Sequence, residues 1–161
     1  MKPMHLGRVF SKAALLFMSL LIMLMGMAAP GSVSAQTEEE NMRENLVFAI
    51  DGTQVTVEWE DNPSVAALRE LVRNQPLEIQ MSMYGGFEQV GFLGTELPRE
   101  DEQTVTESGD IVLYSGDQLV VFYGSNSWAY TRLGRITDKT SDEMRSLLSR
   151  GNVVITISAG E

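Results

Sequence analysis

From Leu46 onward the chain runs in short stretches of alternating apolar and polar residues, separated by glycine-centred turns. Leu46 to Ile50 and Gln54 to Glu60 read as two strands joined at Asp51-Gly52, a dipeptide suited to a tight hairpin. In the second strand Val55, Val57 and Trp59 alternate with Thr56, Glu58 and Glu60, which predicts one buried face and one wet face. Leu77 to Tyr84 alternates in the same way, with Leu77, Ile79, Met81 and Met83 sharing a face. Gly85-Gly86 marks a turn or a close backbone approach. Gly91 and Gly94 interrupt the next strand where a bulge or a barrel bend would sit. Pro98 to Glu102 reads as a charged loop. Ile111 to Tyr114 and Leu119 to Tyr123 form a second hairpin across Ser115-Gly116-Asp117. Every residue from Leu119 to Tyr123 is apolar or aromatic, so that strand is expected to be covered on both faces. Asn152 to Ser158 is a last strand, with Val153, Ile155 and Ile157 on one side.

The period changes twice from strand to helix. Asn62 is a good N-cap and Pro63 fits the first helical position. Ala67, Leu68, Leu71 and Val72 then recur at helical spacing, opposite Arg69, Glu70 and Arg73, until Pro76 ends the run. In the second helix Thr140 to Glu143 is a capping box. Met144, Leu147 and Leu148 are its buried stripe and Gly151 its stop.

The beginning of the chain has a different character. Lys2, Arg8 and Lys12 form a basic region, Ala13 to Ala29 is apolar, and Val33-Ser34-Ala35 has the small residues that a signal peptidase accepts. Residues 1–35 are therefore expected to be a cleaved signal peptide, and the mature chain to be 161 − 35 = 126 residues in an extracytoplasmic compartment, periplasmic or secreted. Residues 36–44 are acidic and poor in apolar side chains, as a flexible leader would be. Residues 45–161 are then a single domain, large enough to bury a core without staples.

Charge and composition exclude several functions. Of 12 basic residues three lie in the first 35, while all 22 acidic ones follow, so the mature net charge is 9 − 22 = −13. Such a surface repels nucleic-acid backbones and anionic headgroups, so neither nucleic acid nor, after cleavage, membrane is expected as a partner. The chain has no cysteine, and its one histidine, His5, leaves with the signal peptide. Catalysis by Ser-His-Asp or Cys-His systems is excluded in the mature chain, as is a zinc site of imidazole or thiolate. Asp101, Glu102, Glu107 and Asp110 lie close in sequence, but their spacing is not that of a calcium loop. They read as solvated loop carboxylates, and neither a metal nor a cofactor is expected.

Aromatic residues gather where turns meet strands: Tyr84, Phe87, Phe122, Tyr123, Trp128 and Tyr130. Two readings of this set stand. One is core and rim of a barrel. The other is a groove for an apolar or proline-bearing ligand, with Gln89, Asn126 and Arg132 as polar groups that orient it.

The segments M-S-M-Y-G-G-F-E-Q-V-G-x-L-G, G-D-I-V-L-Y and F-Y-G-x-N-S-W-x-Y-T-x-L-G-x-I resemble the bacterial cyclophilin-like family, over about Leu46 to Ser158. The resemblance implies a mainly β fold: a closed antiparallel β-barrel with two short α-helices. It does not extend to the motifs of true peptidyl-prolyl isomerases. Those carry a Phe-His-Arg motif whose arginine stabilises the twisting prolyl amide. The corresponding stretch here, Phe87-Glu88-Gln89-Val90-Gly91, has neither histidine nor arginine. The expectation is a non-catalytic binding module for a peptide or small ligand. A weak prolyl isomerase using Arg132 or Gln89 is the first alternative. An accessory domain to a flavodoxin-like redox partner is the second, implied by the resemblance alone.

Overall fold

The structure is a computed structural model and describes residues 45–160; the expected signal peptide and acidic leader lie outside the described residues. The described chain is mainly β, with eleven strands and two helices. The order is β1 (Leu46–Ile50), β2 (Thr53–Val55), β3 (Val57–Trp59), α1 (Pro63–Val72), β4 (Leu77–Gln80), β5 (Ser82–Tyr84) and β6 (Glu88–Phe92). Then follow β7 (Glu102–Val105), β8 (Asp110–Tyr114), β9 (Gln118–Phe122), β10 (Ser127–Ile136), α2 (Ser141–Leu148) and β11 (Val154–Ala159).

Local signals account for the turns and caps. Asp51 and Gly52 take φ of 46° and 78°, so the β1–β2 hairpin closes with both central residues left-handed. Asn62 accepts a hydrogen bond from the Val65 amide and Pro63 opens α1. Thr140 and Glu143 form a reciprocal capping box on α2. Val65, Leu68 and Val72 form the buried face of α1. Leu71, expected with them, is exposed, because the 65-68-72 spacing centres the buried stripe away from it.

All strand pairings are antiparallel and fall in two sheets, one ordered β2-β1-β11-β4 and the other β3-β10-β8-β9-β6-β5. Two bent strands belong to both. β2 and β3 are one run broken at Thr56, where β2 pairs with β1 and β3 with β10. β4 and β5 are one run broken at Met81, where β4 pairs with β11 and β5 with β6. The path of pairing therefore returns to where it began, which is how a barrel avoids open edges. The break at Met81 also overturns one expectation: Met83, placed with the inward side chains by alternation, is exposed along with the rest of β5. β7 is a further strand whose first residue, Glu102, lies in the stretch expected to be a charged loop; it pairs with the first half of β10.

The interior is filled by Phe48, Ile50, Leu68, Ile79, Met81, Ile111, Leu113, Leu119, Val121 and Leu133, with Met144 and Leu148 of α2. Gly91 permits β6 to cross close to β4, since a Cβ there would collide with Ile79 and Met81. On β8 and β9 the alternate side chains Val112, Val120 and Phe122 are also buried, in a second cluster with Tyr130 on the outer face of the larger sheet. The expected double coverage of Leu119 to Tyr123 is thus observed, and the outer cover is where the pocket forms.

Candidate functional site

The outer face of β6, β9, β8 and β10 is built by period-two alternation. Register places Glu88 beside Phe122 and Val90 beside Val120, while Val112 is again beside Val120 on the other side. Around this apolar floor stand Tyr84 from β5, Tyr114 from β8, and Trp128 and Tyr130 from β10. These four rings, with Glu88, Val90 and Val120 of the floor and with Gln118 and Asn126, line a cavity of about 390 Å³.

The walls are held in place. Tyr130 meets Tyr114 edge-on at 6.0 Å and Phe122 at 5.7 Å. Phe122 is stacked on Phe87 at 6.5 Å. Asn126 donates through Nδ2 to the Tyr130 hydroxyl at 3.0 Å and accepts at Oδ1 from the Ser127 amide at 2.8 Å. Its backbone is clamped by Thr106, whose N–H donates to the Asn126 carbonyl at 2.8 Å. Thr106 and the pairing of β7 with β10 together fix the segment that presents Trp128 at the rim, where Trp128 and Tyr84 are both more than half exposed.

Glu88 lies at the floor. It is only 5 % exposed, and its Oε2 makes no hydrogen bond among the described residues. Burial pushes its carboxyl up from the ordinary 4.5 to about 7. The Tyr130 phenol is held above its usual range, first by burial and then by the nearby Glu88. Among the described residues no lysine or arginine lines the cavity.

The nine residues singled out from sequence do not form one site. Tyr84, Asn126, Trp128 and Tyr130 come together in the cavity. Phe122 is fully buried beneath it and Phe87 packs behind Phe122. Tyr123 belongs to the interior core, on the opposite face of its strand. Gln89 also points inward and is fully buried. Its Nε2 donates to the carbonyls of Leu148 and Gly151 at 2.6 and 2.7 Å, which satisfies acceptors at and just beyond the C-terminal end of α2. Arg132 is held away from the cavity by Asp110 at 2.9 Å and by Glu60 at 3.6 Å.

Asp110 corrects a further expectation. Instead of a solvated loop carboxylate it is fully buried at the start of β8. It binds Arg132 and Arg135 through Oδ1 and accepts from the Glu107 amide through Oδ2 at 2.8 Å. Among the described residues no group of three or more acidic side chains converges as a metal site would require.

Sequence reasoning missed Glu88, Val90, Tyr114, Gln118 and Val120. A signal existed for Glu88. It shares a face with Val90, two residues on, in a strand that must lie somewhere beside the doubly covered β9. What the sequence does not state is that β6 is that neighbour.

Two solved structures show the same architecture. McbB, solved in complex with tryptophan, superposes with a TM-score of 0.50 at 15% identity, over 71% of this chain and 44% of its own. The chain thus spans less than half the length of McbB. The hypothetical protein AF2241 from Archaeoglobus fulgidus superposes with a TM-score of 0.53 at 14% identity, over 71% of this chain and 93% of its own. At such identities the likeness concerns fold alone. No curated protein matches the sequence. The cyclophilin-like family profile matches residues 48–158, the span of the two joined sheets from β1 to β11, and by that match the chain belongs to the cyclophilin-like family.

Proposed function

We propose that this protein is a binding module that holds a small ligand, or the side chain of a peptide, in the aromatic groove outside β6, β9, β8 and β10. The observation that carries this reading is the cavity itself. Its volume of about 390 Å³ lies within the range of small-molecule sites, and it combines apolar walls with a few convergent polar groups. The basic and apolar start of the chain, with Val33-Ser34-Ala35, supports export, and mass spectrometry of the exported protein should find Gln36 at the N-terminus.

Prolyl isomerisation draws no support from the groove. Arg132 is engaged by two carboxylates and Gln89 lies on the inner side of β6. The reading of a binding module is tested by titrating the protein with proline peptides, flavins and aromatic fragments while following Trp128 fluorescence and the amide resonances of β6, β9 and β10. Saturable shifts confined to these strands are expected. A panel that leaves the groove resonances unmoved overturns the reading, and shifts caused by flavin alone would favour a role beside a redox partner.

A further inference from the structure

The groove contains one group with no structural employment. Glu88 is nine-tenths buried, and among the described residues one of its carboxylate oxygens has no partner and no lysine or arginine lines the cavity with it. A buried charge without a partner is unfavourable, so such a group either keeps its proton or meets an opposite charge. Gln89, its neighbour on β6, also has an unpartnered side-chain oxygen, but it carries no charge, faces the interior and serves the fold through its amide nitrogen, which binds two carbonyls.

The surroundings define what kind of group would satisfy it. The titratable side chains that line the cavity with Glu88 are Tyr84 from β5, Tyr114 from β8 and Tyr130 from β10. None brings a positive charge. Val90 and Val120 supply apolar contact, and Trp128 closes one wall with an indole. Resting on the groove as the binding site, we infer that it takes a protonated amine carrying an apolar or aromatic body, with the Glu88 carboxylate as counter-ion and the tyrosine and tryptophan rings as walls.

Each part of this assignment has a physical basis. An ammonium donates charge-assisted hydrogen bonds to the carboxylate. The faces of tyrosine and tryptophan attract cations. A carboxylate or phosphate ligand would meet like charge, both at Glu88 and in a chain with 22 acidic and 12 basic residues. A neutral ligand would leave the carboxyl either protonated or desolvated.

Phenethylamine, phenethyl alcohol and phenylpropionate test the inference, because they share a ring and differ in the head group. Calorimetry at about pH 8 should find the amine bound at least roughly tenfold more tightly than the alcohol, and the acid more weakly than both. The amine should move the resonances of Glu88 and Trp128. Its affinity should decline as pH falls through about 7, where Glu88 regains its proton. Glu88→Gln should abolish the preference for the amine while retaining the alcohol, which shows that the pocket is intact. Equal affinity for amine and alcohol, preference for the acid, or a preference that survives Glu88→Gln overturns the inference but leaves the groove as a binding site. Binding of none of the three overturns the inference as well, and the groove reading then stands or falls on the wider ligand panel.

Discussion

Glu88 makes the stability of this domain depend on pH in a direction opposite to that of a salt-bridged carboxylate. Its carboxyl is raised by burial to about 7 in the folded protein, against 4.5 when solvated. Between these values the folded state holds a proton that the unfolded state has lost. Unfolding stability therefore falls as pH rises from about 4.5 to about 7 and is flat with respect to this group above that. The shift is about 7 − 4.5 = 2.5, and each unit is worth about 1.4 kcal/mol, so the group withdraws on the order of 3 kcal/mol from the folded state at alkaline pH. That is a sizeable share of a total stability of roughly 5–15 kcal/mol. Glu88→Gln keeps the shape and removes the titration. Urea and thermal denaturation of both proteins, from about pH 5 to about pH 8, should show their difference widening in favour of the variant by roughly 2–3 kcal/mol, or on the order of 10 °C in Tm. Repulsion among the many other acidic groups is common to both proteins and cancels in the difference. Two parallel stability curves would refute the reasoning, since they require a Glu88 that is solvated or ionised in the folded state at acid pH.

Val121 is fully buried in the interior core on β9, so Val121→Asp should leave an unpaired charge there and abolish the cooperative unfolding transition; an unchanged Tm would show the strand to be exposed. Asp110→Ala should destabilise the domain by roughly 2–4 kcal/mol in urea, because it strips Arg132, Arg135 and the Glu107 amide of a shared acceptor at once. Prolyl isomerase activity on a standard proline peptide should stay at the uncatalysed rate, whose barrier is about 18–20 kcal/mol. Robust catalysis that disappears in Arg132→Ala would show that the arginine leaves Asp110 and Glu60 to act in the groove.

The features that sequence alone determined are those decided by near neighbours. Asp51-Gly52 suits a tight turn whatever lies beyond it, and the structure gives both residues positive φ. The Asn62 cap and the Thr140–Glu143 capping box depend on residues three apart, and both formed as the pattern required. Alternation of Val153, Ile155 and Ile157 likewise announced the buried face of the last strand, and the unbroken apolar run from Leu119 to Tyr123 announced a strand covered on both sides. The family motifs were legible for the same reason, as they are short local strings. What only the tertiary structure decided was which strands became neighbours. The polar β7 carries no apolar alternation and exists by pairing with β10. Gln89 and Arg132 were lost from the groove because a strand's two faces look equivalent in sequence until a partner occupies one, here the end of α2 for Gln89 and Asp110 for Arg132. Glu88 was gained by the same route. A glutamate between a phenylalanine and a glutamine reads as solvent-facing, and only the pairing of β6 with β9 sets it beside Phe122, near Tyr130 and out of reach of water's full solvation. Long-range pairing turns a one-dimensional alternation into an inside and an outside, and the groove lies on a face that exists only after that choice.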